Sequence, residues 1–114
     1  EQDSVMTMVF DEVDTGVSGR AAQRVAEKLA RLSRFRQVLC VTHLPQLAAM
    51  ADVHFGVEKG EADGRTRTNV LVLDRAARRR EVARLSGGDP PSDTMLSGAE
   101  ELLSAAESFK QSIQ

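Results

Sequence analysis

Two adjacent carboxylates, Asp11 and Glu12, close an apolar run that begins at Val5, and a third, Asp14, follows two residues later. Val5-Met6-Thr7-Met8-Val9-Phe10 is β-branched or large and apolar with a single Thr, which suits a strand buried on both faces of a parallel sheet. Unpaired charge inside such a strand is costly. The carboxylates therefore belong at its C-terminal end, where open α/β sheets place their ligand crevice. A metal ion could offset their charge there. In nucleotide hydrolysis the first carboxylate of such a pair holds Mg2+, usually through water, and the second takes a proton from the attacking water or orients it.

The next elements bring a third kind of group to the same edge. Thr15-Gly16-Val17-Ser18-Gly19 is a loop whose glycines let backbone approach a ligand, and Ser18 is placed to cap the helix that follows. Ala22, Val25, Ala26, Leu29 and Leu32 recur at three- and four-residue spacing and predict a helix to about Ser33, with Phe35 packing as the chain turns. Gln37 to Thr42 is a second apolar strand, ending in Thr42 and His43, with Cys40 expected as a small buried apolar group. Strand, helix and strand in this order predict a right-handed βαβ unit with parallel strands. Asp11, Glu12 and His43 then converge at one sheet edge, where a His can contact a γ-phosphate and sense its loss. A solvated strand end is the plain alternative for the carboxylates, and capping or packing is the alternative for His43.

Beyond His43, Pro45 suits the first turn of a short helix with Leu47, Ala48, Met50 and Ala51 on its apolar face. Residues 53–58 and 66–73 read as two strands joined through a polar loop, Lys59 to Arg65, longer than the commonest two-residue turns. Arg78 to Leu85 predicts a short helix, and the basic run Arg75, Arg78, Arg79 and Arg80 reads as its solvated start. Gly87-Gly88-Asp89-Pro90-Pro91 breaks the chain. A last amphipathic helix starts near Ser92 to Thr94 and buries Leu96, Ala99, Leu102, Leu103 and Ala106, while residues 108–114 read as a polar tail prone to fray. His54 has no carboxylate or cysteine at ligand spacing and reads as structural.

The 114 residues suffice for one modest domain, and 15 Lys and Arg against 17 Asp and Glu leave a net charge of −2. That balance gives no global argument for nucleic acid or membrane. The lone Cys40 excludes an internal disulfide and fits a reducing, cytoplasmic setting. No Gly-x-x-x-x-Gly-Lys-[Ser/Thr] phosphate loop and no Gly-x-Gly-x-x-Gly occurs, and the absence of Trp and Tyr argues against base-stacking platforms. With its main motif so near Glu1, the chain is expected to be cut from something longer.

Val9 to Gly19, the Gln37 to Gln46 stretch reading Gln-Val-Leu-Cys-Val-Thr-His-Leu-Pro-Gln, Ala49 to Asp52, Val57 to Lys59, Arg65-Thr66 and Ala83 to Gly88 together resemble the ABC-type ATPase heads of the SMC-like group. Within that group they are most similar to the C-terminal part of the RecN family, over roughly residues 5 to 106. The resemblance implies a partial P-loop NTPase head of α/β class: parallel strands with flanking helices, a β-hairpin and C-terminal helices, in residues 1–107. It implies that Asp11 is the Walker B metal residue, that Glu12 is the catalytic carboxylate and that His43 is the switch histidine. Asp14 to Gly19 would correspond to the D-loop, and Asp14, Ser18, Gly19 and Gln46 would lie at the nucleotide.

The cofactors implied are ATP and Mg2+, both requiring an N-terminal lobe that supplies Walker A. The partners implied are a second head in a homodimer, DNA and a recombinase, with hydrolysis coupled to DNA double-strand break repair at the nucleoid. Without a phosphate loop the segment alone is expected to be inactive. Leu85-Ser86-Gly87-Gly88 looks like the ABC signature but follows the Walker B strand and precedes Asp89-Pro90-Pro91, so it reads as a glycine-capped helix end. Two other readings stand beside this one: a non-catalytic DNA- or protein-interaction module, and a metal nuclease using Asp11, Glu12 and Asp14.

Overall fold

The computed structural model describes residues 7–11 and 19–114. In chain order they form β1 (Thr7–Asp11), α1 (Gly19–Leu32), β2 (Gln37–Val41), α2 (Pro45–Met50), β3 (Phe55–Ala62), β4 (Arg65–Val72), α3 (Arg75–Leu85) and α4 (Asp93–Ser112). β1 and β2 pair in parallel across the α1 crossover, from Thr7 opposite Gln37 to Asp11 opposite Val41. β3 and β4 pair antiparallel as a hairpin. The chain is thus α/β, with a parallel strand pair, an antiparallel strand pair and helices.

The core lies among the helices. Ala22, Ala26 and Ala30 line one face of α1 at four-residue steps and meet Leu47 to Met50 of α2, Val82 and Ala83 of α3, and Ala99, Leu103 and Ala106 of α4. Alanine at so many contact points lets helix axes approach closely and costs little side-chain entropy on burial. α2 is the hub, packing against α1, α3 and α4.

Six residues make too short a helix to persist alone, so α2 depends on this packing.

The strands depart from expectation. Val9, expected inside, is 65% exposed, and Leu39 and Val41 also face outward. Cys40, expected buried, is exposed as well. Among the described residues each sheet has two strands, and no strand residue belongs to the helical core cluster. Phe35, expected to pack at the turn, is 73% exposed.

The hairpin turn is tighter than expected. β3 and β4 extend through the polar stretch, leaving Asp63-Gly64 as a two-residue connection with φ of 55° and 74°. Positive φ at both central positions is the type I′ geometry, whose twist matches that of the strands and which favours Asp-Gly.

α3 begins at Arg75, three residues earlier than predicted, because the Asp74 side chain accepts from the Ala77 N–H at 2.8 Å and caps it. It ends at Leu85, with Ser86 as C-cap and Gly87 at φ 123°, as the glycine-capped reading of Leu85 to Gly88 requires. The Ser92 side chain accepts from Met95 N–H to start α4. Residues 108–114, expected as a fraying tail, instead carry α4 on to Ser112, and Phe109 and Ile113 pack against the core. The Arg31 guanidinium over the Phe109 ring, 5.2 Å from its centroid, ties this last turn to α1.

Candidate functional site

The parallel register decides what the two strand ends share. Asp11, the last residue of β1, lies opposite Val41, the last residue of β2. Both strands end at the same edge of the sheet, and His43 follows β2 by two residues. Glu12, Asp14 and Ser18 lie outside the described residues. Gly19 opens α1 with φ of 57°, a left-handed conformation that suits glycine, and a Cβ built there would meet nothing within 4 Å.

A local turn presents His43. The Leu44 N–H donates to Thr42 Oγ1 at 3.0 Å, closing a hydroxyl-capped turn around the histidine, which is exposed. Pro45 then fixes the backbone at the start of α2, and Ala48 N–H donates to Leu44 O at 3.1 Å. His43 is therefore joined to the buried hub helix through a short, stiff connection.

Gln46 sits half-buried in the first turn of α2, and its Oε1 is buried without a hydrogen-bond partner among the described residues. An unsatisfied buried acceptor costs free energy, so this amide is suited to a group the described residues do not provide. A concavity lined by Ser33 to Gln37 and another lined by Arg79, Asp93, Leu96, Ser97 and Glu100 contain none of the candidate residues.

The far end of α2 holds the groups that sequence reasoning missed. Arg78, expected in a solvated basic run, is half-buried, and its Nη2 faces three main-chain oxygens: Ala51 at 2.9 Å and Ala48 and Ala49 at 3.3 Å. Burial, and then the neighbouring charge of Arg75, lowers the guanidinium's pKa from its ordinary value. Lys110 Nζ donates to Ala51 O at 3.0 Å and to Asp52 Oδ1 at 3.1 Å, and Arg34 Nη2 donates to Asp52 Oδ2 at 3.1 Å. These cations meet the negative end of the α2 dipole and supply donors to carbonyls left over at a helix end.

The rest of the basic run divides by partner. Arg75 bonds Glu100 at 2.6 Å and Glu107 at 2.5 Å across to α4, which raises the arginine's pKa and lowers that of Glu100. His54 is half-buried, in keeping with a structural role. Its pKa is lowered first by burial and then by Arg78, with Glu81 opposing.

Relatives give the arrangement its family. The DNA repair protein RecN of Bacillus subtilis (strain 168) is 48% identical over 109 residues, which is 96% of this chain and 19% of that protein. RecN of Streptomyces coelicolor is 49% identical over 104 residues, 91% of this chain and 18% of its own length. The chain belongs to the RecN family. RecN of Mycobacterium leprae agrees, at 50% identity over 104 residues. The chain spans about a fifth of the length of the RecN relatives it matches. No protein-family profile matches it. No helix among the described residues is long and apolar enough to cross a membrane.

Proposed function

We propose that this RecN-family segment is the C-terminal lobe of an SMC-like, ABC-type ATPase head that serves DNA double-strand break repair. The observation that carries the proposal is the parallel register of Asp11 with Val41, which ends β1 and β2 at one edge of the sheet, two residues before His43. At that edge Asp11 is the metal residue, Glu12 the carboxylate that orients or deprotonates water, and His43 the group that contacts the terminal phosphate. Asp14, Ser18, Gly19 and Gln46 line the nucleotide and the approach of a second head. Bound Mg2+ neutralises phosphate charge and orients the nucleotide.

The segment has no Gly-x-x-x-x-Gly-Lys-[Ser/Thr] loop, so the phosphates are cradled by another lobe. Val9, Leu39 and Val41, exposed on β1 and β2, offer that lobe an apolar surface. A homodimer of heads, DNA and a recombinase complete the set of partners.

The test uses a full-length RecN-family chain carrying this segment. Asp11→Asn is expected to abolish Mg2+-dependent ATP hydrolysis, and the 114-residue chain alone is expected to show none. Hydrolysis by Asp11→Asn at the unsubstituted rate would remove Asp11 from the metal site.

A second reading, a non-catalytic interaction module, draws on the hairpin. Phe55 opposite Val72 and Val57 opposite Val70 form an exposed apolar face. An Asp11→Asn chain with wild-type hydrolysis but lost partner binding after substitution of that face would favour it.

A further inference from the structure

We infer that Arg78 is a positioning residue for His43, acting through α2; the inference rests on the nucleotide role of His43 proposed above. Residues Leu47 to Met50 are buried and the contacts to the last carbonyls are part-buried, so water has limited access to this helix end. An unsatisfied buried carbonyl is costly. The α2 C-cap, Ala51, donates its own N–H to Ala48 O at 3.3 Å, and the remaining demand is met from other elements. Arg78 meets most of it, reaching Ala48, Ala49 and Ala51 from α3. Lys110 reaches Ala51 from α4.

These contacts fix α2 along its axis. Six residues at 1.5 Å rise make a rod about 9 Å long. Its other end begins at Pro45, and the Thr42–Leu44 turn couples His43 to it. Packing alone would tolerate sliding of the alanine-rich faces; directional bonds to the last carbonyls do not. Arg78 touches no nucleotide in this account, and its influence passes through the helix.

Small misplacements of a reacting constellation have large rate effects, a 1 Å error costing about 100-fold. In a full-length RecN-family chain, Arg78→Met is expected to lower kcat for ATP about 10-fold, with KM changed less than about 2-fold, a loss of positioning rather than of uniform binding. In a His43→Ala background the same substitution is expected to cost less than about 2-fold, because the group it positions is gone. Amide hydrogen exchange at residues 43–51 is expected to quicken in Arg78→Met without nucleotide, and to stay unchanged in Arg80→Met, whose arginine is exposed. Arg78→Lys keeps a cation with fewer donors and gives a smaller loss of the same His43-dependent kind; it also carries the test if Arg78→Met fails to fold.

Unchanged exchange at residues 43–51 would overturn the inference whatever happens to hydrolysis. So would a rate loss of equal size with and without His43, which marks a merely structural role. His43→Ala hydrolysing ATP like the unsubstituted chain would instead sink the nucleotide role of His43, and the role of Arg78 in hydrolysis with it.

Discussion

Asp11 and Val41 stand opposite each other as the last pair of the β1–β2 ladder. The pairing is parallel, so β1 and β2 end at the same edge of the sheet, with His43 two residues beyond Val41. An antiparallel pair would have put the C-terminal ends of the two strands at opposite edges. Open α/β sheets place their ligand crevices at such shared strand ends.

The helical core should dominate stability. Leu103 is 1% exposed and sits where α4 meets the other helices. Leu103→Ala removes a fully buried branched side chain from the cluster that joins the helices and leaves a cavity there. A loss of about 2–5 kcal/mol is expected, read from urea unfolding. A loss below about 1 kcal/mol would place the core elsewhere.

Acid should weaken the fold through His54. Its folded pKa is lowered by burial and by Arg78, whereas in the unfolded chain it titrates near its ordinary value of 6.5. Above that value the imidazole is neutral in both states and costs nothing. As pH falls through 6.5 towards the lower folded pKa, the unfolded chain takes up the proton first, so stability is lost. The stability difference between the native chain and His54→Gln is expected to narrow between pH 7.5 and 5.5 in urea unfolding. A widening difference would mean that His54 is charged in the folded state.

The hairpin should bind hydrophobic probes. Phe55, Val57, Val70 and Val72 form an exposed apolar face, and contiguous patches of this kind mark contact surfaces. Val57→Lys with Val70→Lys is expected to reduce binding of a hydrophobic dye to the 114-residue chain and to leave its helix content unchanged by circular dichroism. Dye binding that survives both substitutions would assign it to the β1–β2 face instead.

Local features were legible wherever one short pattern decided them. The periodicity of Ala22, Val25, Ala26 and Leu29 marks α1, and apolar runs ending in polar residues mark β1 and β2 with their shared edge. The Asp63-Gly64 turn was present in the sequence but sits within a polar stretch that also contains Gly60, so the loop was read as longer than it is. Burial of the strands was misread because apolar composition reports what a strand can be packed against, not what this chain packs there. Arg78 escaped because its partners are main-chain carbonyls 27–30 residues away, which carry no side-chain signature. Glu12, Asp14 and Ser18 remain assigned by spacing and resemblance alone.

Glu12 is the residue proposed to prepare water for attack on the nucleotide. The decisive measurement is steady-state ATP hydrolysis, with nucleotide binding measured in parallel, by a full-length RecN-family chain carrying Glu12→Gln. Loss of the proton acceptor with the metal residue intact should lower hydrolysis by about 100-fold or more while ATP still binds, favouring engaged heads. Hydrolysis at the unsubstituted rate would contradict the assignment.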